Sequence, residues 1–139
     1  MLARAEGEMM LEYVRSIQRE VRRWCIACFG EEISNDKKER NHRFLEEALE
    51  LVQSAGCTKD EALDLVEYVF ERPIGETKQE VGGVMVTLAA LCNAHTIDMI
   101  DCAWVEIRRV WTKVEAIRAK QQAKPKFGPR PGSYSEGVK

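Results

Sequence analysis

From Val81 to Cys92 the chain reads Val81-Gly82-Gly83-Val84-Met85-Val86-Thr87-Leu88-Ala89-Ala90-Leu91-Cys92, apolar on every face of a helix. Such a helix has no side to turn to water, so it belongs at the buried centre of a bundle. Its strongly apolar part, Val84 to Cys92, is about nine residues long, far short of the roughly 20 a membrane span needs. The fold must therefore be built from other helices laid around this one.

The rest of the chain supplies them. Met10, Tyr13, Val14, Ile17, Val21, Trp24 and Cys28 recur at three- and four-residue steps and predict a helix over 7–29, stopped by Gly30. The charged stretch 31–40 reads as a loop, followed by a helix over 38–55 with Gly56 as its cap. Thr58-Lys59-Asp60-Glu61 is a capping box opening a helix to about Glu71, before Pro73. Thr77-Lys78-Gln79-Glu80 repeats that pattern and opens the apolar helix, which ends near Ala94. Asp98 is the N-cap of a last helix running to Gln122. No alternating pattern supports a strand. The expected fold is all-α, a compact bundle of about four main helices plus a short one, in a single domain over 1–122. The remainder, 123–139, holds Pro125, Pro129 and Pro131 with Lys124, Lys126, Arg130 and Lys139 against Glu136 alone, and reads as a mobile basic tail.

With 45% hydrophobic and 32% charged residues the composition is globular. A net charge of −2 gives no electrostatic case for specific nucleic-acid binding. The opening MLARAEGEMMLEYV has no apolar core of the signal-peptide kind, so the expected location is cytoplasmic, with no membrane partner. Five cysteines without an export signal read as reduced thiols. Cys25 and Cys28 have C-x-x-C spacing, but no second pair completes a zinc site and no βαβ context frames a redox site. They read as small apolar residues packing a helix.

The candidate chemistry lies in carboxylates. Leu45, Ala48, Leu49, Val52 and Ala55 form the expected core stripe of the second helix, with Glu46, Glu47 and Glu50 away from it. Three acids within five residues repel one another, and the cluster is either a solvated face or a divalent-cation site, since Mg²⁺ takes one or two carboxylates with waters. Glu80 enters the apolar helix from its first turn. Gly82 and Gly83, each costing roughly 1 kcal/mol in a helix interior, leave room for a neighbouring helix, a ligand or another subunit. In the last helix Arg109, Lys113 and Lys120 fall within about 40° of one another, a row that either holds phosphate or is a solvated face with pairs such as Glu106 and Arg109. Arg40, Asn41, His42 and Arg43 precede the acidic cluster by a turn and are further candidates for substrate contact. His95 reads as a polar helix-end residue.

Glu46-Glu47-x-x-Glu50 followed by Glu80 at the start of an apolar helix resembles the E-E-x-x-E…E-x-x-D pattern of the MazG-like, all-α nucleoside triphosphate pyrophosphohydrolases. The resemblance spans about Arg40 to Lys120. It implies an Mg²⁺-dependent enzyme, with Mn²⁺ as a substitute, that converts a nucleoside triphosphate to monophosphate and pyrophosphate. Glu47, Glu50 and Glu80 would be the metal ligands, and Glu46 a ligand or the base that positions water. Lys113, Arg109, Arg43 and His42 would meet the substrate. The resemblance also implies a homodimer or homotetramer. The family's fourth acid falls on Gly83, which opens an alternative: a MazG-like module that binds nucleotide or protein without turnover.

Overall fold

The structure is a computed structural model, and it describes residues 2–123. Six helices follow in order: α1 (Leu2–Asn35), α2 (Lys37–Ser54), α3 (Lys59–Phe70), α4 (Thr77–Ala94), α5 (Met99–Trp111) and α6 (Val114–Ala123). There is no strand among the described residues, and the all-helical expectation is met. The predicted basic tail lies outside the described residues, except that Ala123 closes α6. No single described helix is long and apolar enough to cross a membrane. The described chain divides into two units, residues 2–40 with 98–123, and Asn41–Ile97.

In the first unit α1 packs on α5 and α6. Tyr13 meets Trp104 with ring centroids 5.6 Å apart. The Trp111 indole donates to Glu20 Oε1 at 2.9 Å, and Arg118 Nε donates to the Ala27 carbonyl at 2.8 Å. These contacts recur at seven-residue steps on both partners, so α1 runs parallel to the α5–α6 segment in a heptad-like register. Cys25, Cys28 and Ile107 are the buried apolar residues of this unit. Gly30 leaves helical geometry (φ 74°, ψ 172°), which only glycine adopts cheaply, and ends the long straight part of α1 where the sequence predicts. The charged stretch after it is helical rather than a loop: 31–35 form another turn, and Asp36 caps α2 by accepting from the backbone of Lys38 at 3.0 Å and Glu39 at 3.1 Å.

The predicted last helix is two helices. Thr112 N–H and Lys113 N–H bond back three residues, to the Arg109 and Val110 carbonyls, and α6 starts afresh at Val114. The cause is tertiary. Val110 O also accepts from the Trp24 indole at 3.2 Å, a bond that helix periodicity does not contain.

The second unit holds α3, α4 and most of α2, and its helices make few contacts with one another. The capping box at Thr58 and Glu61 is present in both directions. The one expected at Thr77 is not: Thr77 is already helical, and the cap is Glu76, whose carboxylate accepts from Gln79 N–H at 2.9 Å. The larger departure concerns burial. Neither α3 nor α4 contains a buried residue, although α4 is the segment expected at the centre of a bundle. On α2, Leu45 and Leu49 of the expected core stripe are exposed, while the charged Glu39 and Arg43 are buried. Ala48 and Val52 of the same stripe are only partly buried.

α2 and α4 end in the same corner. Cys57 N–H reaches Val52 O and Gly56 N–H reaches Gln53 O; Ile97 N–H reaches Cys92 O and Thr96 N–H reaches Asn93 O. Each is a Schellman closure with a left-handed residue at its turn, Gly56 (φ 97°) in one and Thr96 (φ 56°) in the other. A β-branched residue is strained there, so Thr96→Gly should raise stability by about 1 kcal/mol and Gly56→Ala should lower it by a similar amount. Urea midpoints at one protein concentration read both.

Candidate functional site

Glu46, Glu47, Glu50 and Glu80 all belong to the unit Asn41–Ile97, as do His42 and Arg43, whereas Arg109 and Lys113 belong to the other. Within α2, Glu39, Arg43, Glu46 and Glu50 follow one another at three- and four-residue steps and share a stripe. Arg43 is buried, and its Nη1 forms an ion pair with Glu46 Oε2. The pair is well screened from solvent, with side chains 10% and 25% exposed, so each charge depends on the other for compensation. Arg43 is thus committed to Glu46, and its place in the site is to orient that carboxylate. One of the glutamate's two oxygens is left to accept from another donor.

Glu47 and Glu50 are exposed, one turn apart, and Glu50 has no ion-pair partner among the described residues. Glu80 lies in the first turn of α4 with its carboxylate folded back into the space that a side chain at position 75 would fill, which Gly75 leaves open. Gly82 and Gly83 have open space where a Cβ would stand, so no described residue makes the close approach that their pairing suggests. Among the described residues no three of His, Cys, Asp and Glu come together as a group that could hold a metal ion. The structure joins Arg43 to Glu46 and does not gather Glu47, Glu50 and Glu80 into one group. A concavity of about 540 Å³ at the corner after α2 is lined by Glu61 and Asp64, but Glu61 is already engaged with the cap at Thr58.

The break after Trp111 falls within the predicted basic row. Arg109 sits on α5 and pairs with Glu106, Nε to Oε2 at 2.8 Å, while Lys113 lies in the turn and Lys120 on α6. The Arg109 guanidinium holds the Glu106 carboxyl below the ordinary carboxylate range by that hydrogen bond. The sequence reading passes over the arginines of α1, Arg15, Arg19 and Arg22, although their four- and three-residue spacing places them on one face.

No protein-family model, curated protein or solved structure matches this chain.

Cys25 and Cys28 are free and buried, in keeping with a packing role. Burial pushes both thiols above their ordinary pKa; Arg40 offsets part of the rise at Cys25, while at Cys28 the neighbouring Cys25 adds to it and Arg118 offsets part. The thiolate is the reactive form, so a raised pKa lowers its share at any pH below it. Iodoacetamide near pH 8 should modify the exposed Cys102 well before Cys25 and Cys28. The two buried thiols should gain reactivity only at pH above the ordinary thiol range, and urea should make them reactive at lower pH. Peptide mass mapping of the labelled chain measures the order.

Proposed function

We propose that this protein is an Mg²⁺-dependent nucleoside triphosphate pyrophosphohydrolase resembling the MazG-like group, working as a homo-oligomer. The observation that carries the reading is the exposed acidic face of α2, where Glu47 and Glu50 stand one turn apart beside a Glu46 already oriented by Arg43. Carboxylates are the protein ligands that suit a magnesium ion, which takes one or two of them and fills its remaining positions with water and substrate phosphate oxygens. Glu47 and Glu50 would hold it, with Glu80 as the third ligand, and Mn²⁺ would serve in its place. Bound there, the metal neutralises phosphate charge and makes a water more acidic. The free oxygen of Glu46 accepts a proton from the attacking water, and Arg43 keeps that carboxylate in place. His42 lies on the adjoining part of α2 to meet the substrate.

A second reading has its own support: no three acids converge among the described residues, and the position of the family's fourth acid is Gly83. On that reading the chain binds nucleotide or protein without turnover. Pyrophosphate release from a panel of ribo- and deoxyribonucleoside triphosphates with Mg²⁺ separates the two. The enzyme reading expects release from wild type that falls at least ~100-fold in Glu50→Gln, more than the roughly 10–100-fold that loss of a supporting partner costs. Release from Gly83→Asp alone would establish the binding module. That variant is sterically permitted, since nothing lies within 4 Å of a Cβ at position 83.

The homo-oligomer is supported by exposed apolar surface. Leu63, Leu65, Tyr68, Phe70, Val81 and Val86 lead a set of uncovered side chains on α3 and α4, joined on α2 by Phe44, Leu45 and Leu49. Large apolar side chains left uncovered in this number are the material of a protein–protein interface. A second copy, which carries the same uncovered surface, is the occupant we assign. Sedimentation equilibrium should return a multiple of the 15.9 kDa chain mass, and Leu65→Glu with Val81→Glu should shift it toward a single chain. A monomeric wild type would overturn the assembly.

A further inference from the structure

The unit built on α1 contains a concavity of about 490 Å³ that the proposed reaction does not use. Arg15, Gln18, Arg19, Val21, Arg22 and Cys25 line it from one side of α1, and Ser34 lines it from beyond the break at Gly30. The spacing places the six helical residues within about 160° of one another. In a straight helix positions 22 and 35 would stand about 20 Å apart. Here Arg22 Nη1 donates to Asn35 Oδ1 at 3.3 Å, so the turn at Gly30 brings 31–35 back beside α1 and forms the second wall.

The lining is cationic. Three guanidinium groups face the space, with no carboxylate among its described lining residues. Arg19 engages Glu12 at 2.6 Å, outside the lining, and Arg22 uses one nitrogen on Asn35. Arg15 makes no hydrogen bond among the described residues. Each guanidinium carries five N–H donors, so most remain available. Ser34 Oγ is buried and meets no hydrogen-bond partner among the described residues. The positive field is already visible at Glu12, whose carboxyl is held below the ordinary range by the hydrogen bond and charge of Arg19, with Arg15 adding.

Arg19 is already paired with Glu12, while the like charges of Arg15 and Arg22 remain around the concavity for an anion to join, and a single carboxylate would occupy only one guanidinium fork. A volume of about 490 Å³ falls within the roughly 300–1,000 Å³ of small-molecule sites and exceeds what one phosphate fills. We infer that this cleft of α1 is a binding site for an oligophosphate, a di- or triphosphate chain whose oxygens meet Arg15, Arg19, Arg22 and Ser34 together. The site needs no metal, because its charge comes from guanidinium groups. It is independent of the acidic face of α2.

Isothermal titration of the full chain in EDTA at low salt tests this, with inorganic pyrophosphate and ATP as the two probes. The expected result is binding of at least one probe that weakens tenfold or more in Arg15→Gln with Arg22→Gln, weakens less in Ser34→Ala, and is unchanged in Glu50→Gln. Rising salt should weaken it further. Equal affinity for the two probes assigns the inorganic chain as sufficient, and tighter ATP binding assigns a nucleotide; both support the site. The arginines are exposed, so circular dichroism should report an unchanged helix content in the double variant. Absence of binding in EDTA, or affinity untouched in both the arginine and Ser34 variants, would overturn the inference. Because the acidic-face variant is assayed in parallel without metal, failure here leaves the pyrophosphohydrolase reading to its own assay.

Discussion

The indole of Trp24 and the carbonyl of Val110 form a bond that organises the unit around α1. A backbone carbonyl inside a continuous helix accepts from the amide four residues on. Val110 instead accepts from Lys113, three residues on, and from Trp24 across the seam. The helix ends there, α6 restarts, and Arg118 comes to lie where it can reach the Ala27 carbonyl. Trp111 and Tyr13 extend the same register, one through Glu20 and the other against Trp104. The seam is therefore fixed by directional polar contacts as well as burial, which suits a unit whose buried apolar residues are Cys25, Cys28 and Ile107.

Local signals in the sequence predict local structure well. Gly30, Gly56, the capping box at Thr58 and the N-cap at Asp98 all stand where their chemistry places them, because each satisfies backbone groups within a few residues. The misplaced cap at Thr77 has an equally local cause: Glu76, one residue earlier, presents a carboxylate to Gln79 N–H. What periodicity could not supply is which partner each face meets. The break after Trp111 depends on a residue 86 positions away from Val110. The cleft on α1 depends on a chain reversal, and its arginines look like ordinary solvated residues when read along the sequence. The candidate acids are legible as a cluster on α2, but their relation to Glu80 is a question of packing between helices, which the single chain leaves loose.

Burying Arg43 with Glu46 has a cost that needs explanation. Removing both charges from water costs several kcal/mol per ion, and their mutual attraction seldom returns a large surplus. A well-packed apolar pair in the same place would usually be as stable or more so. What the ion pair supplies is orientation: a fixed carboxylate on the same α2 stripe as Glu50, within a helix whose apolar residues Leu45 and Leu49 face outward. An arrangement that screens charge and exposes leucine is poor economy for a protein that works alone.

The two glycines of α4 carry the argument one step further. Together they cost about 2 kcal/mol of helix stability. In a helix crossed closely by a neighbour that loss is offset by contact between backbones, as small residues permit. Here a Cβ at either position would meet nothing within 4 Å, so the chain itself provides no offset. Val81, Val84, Met85 and Val86 stand uncovered beside them. Close approach and apolar cover are the two things this helix lacks, and one helix laid along it would supply both. In the homo-oligomer proposed above, a second copy would bring its own uncovered α3 and α4 to such a contact, and association would remove the same deficit from both chains at once. A metal site drawn from Glu50 on α2 and Glu80 on α4 would then inherit its geometry from that assembly, where those helices would acquire the packing that the unit by itself does not have.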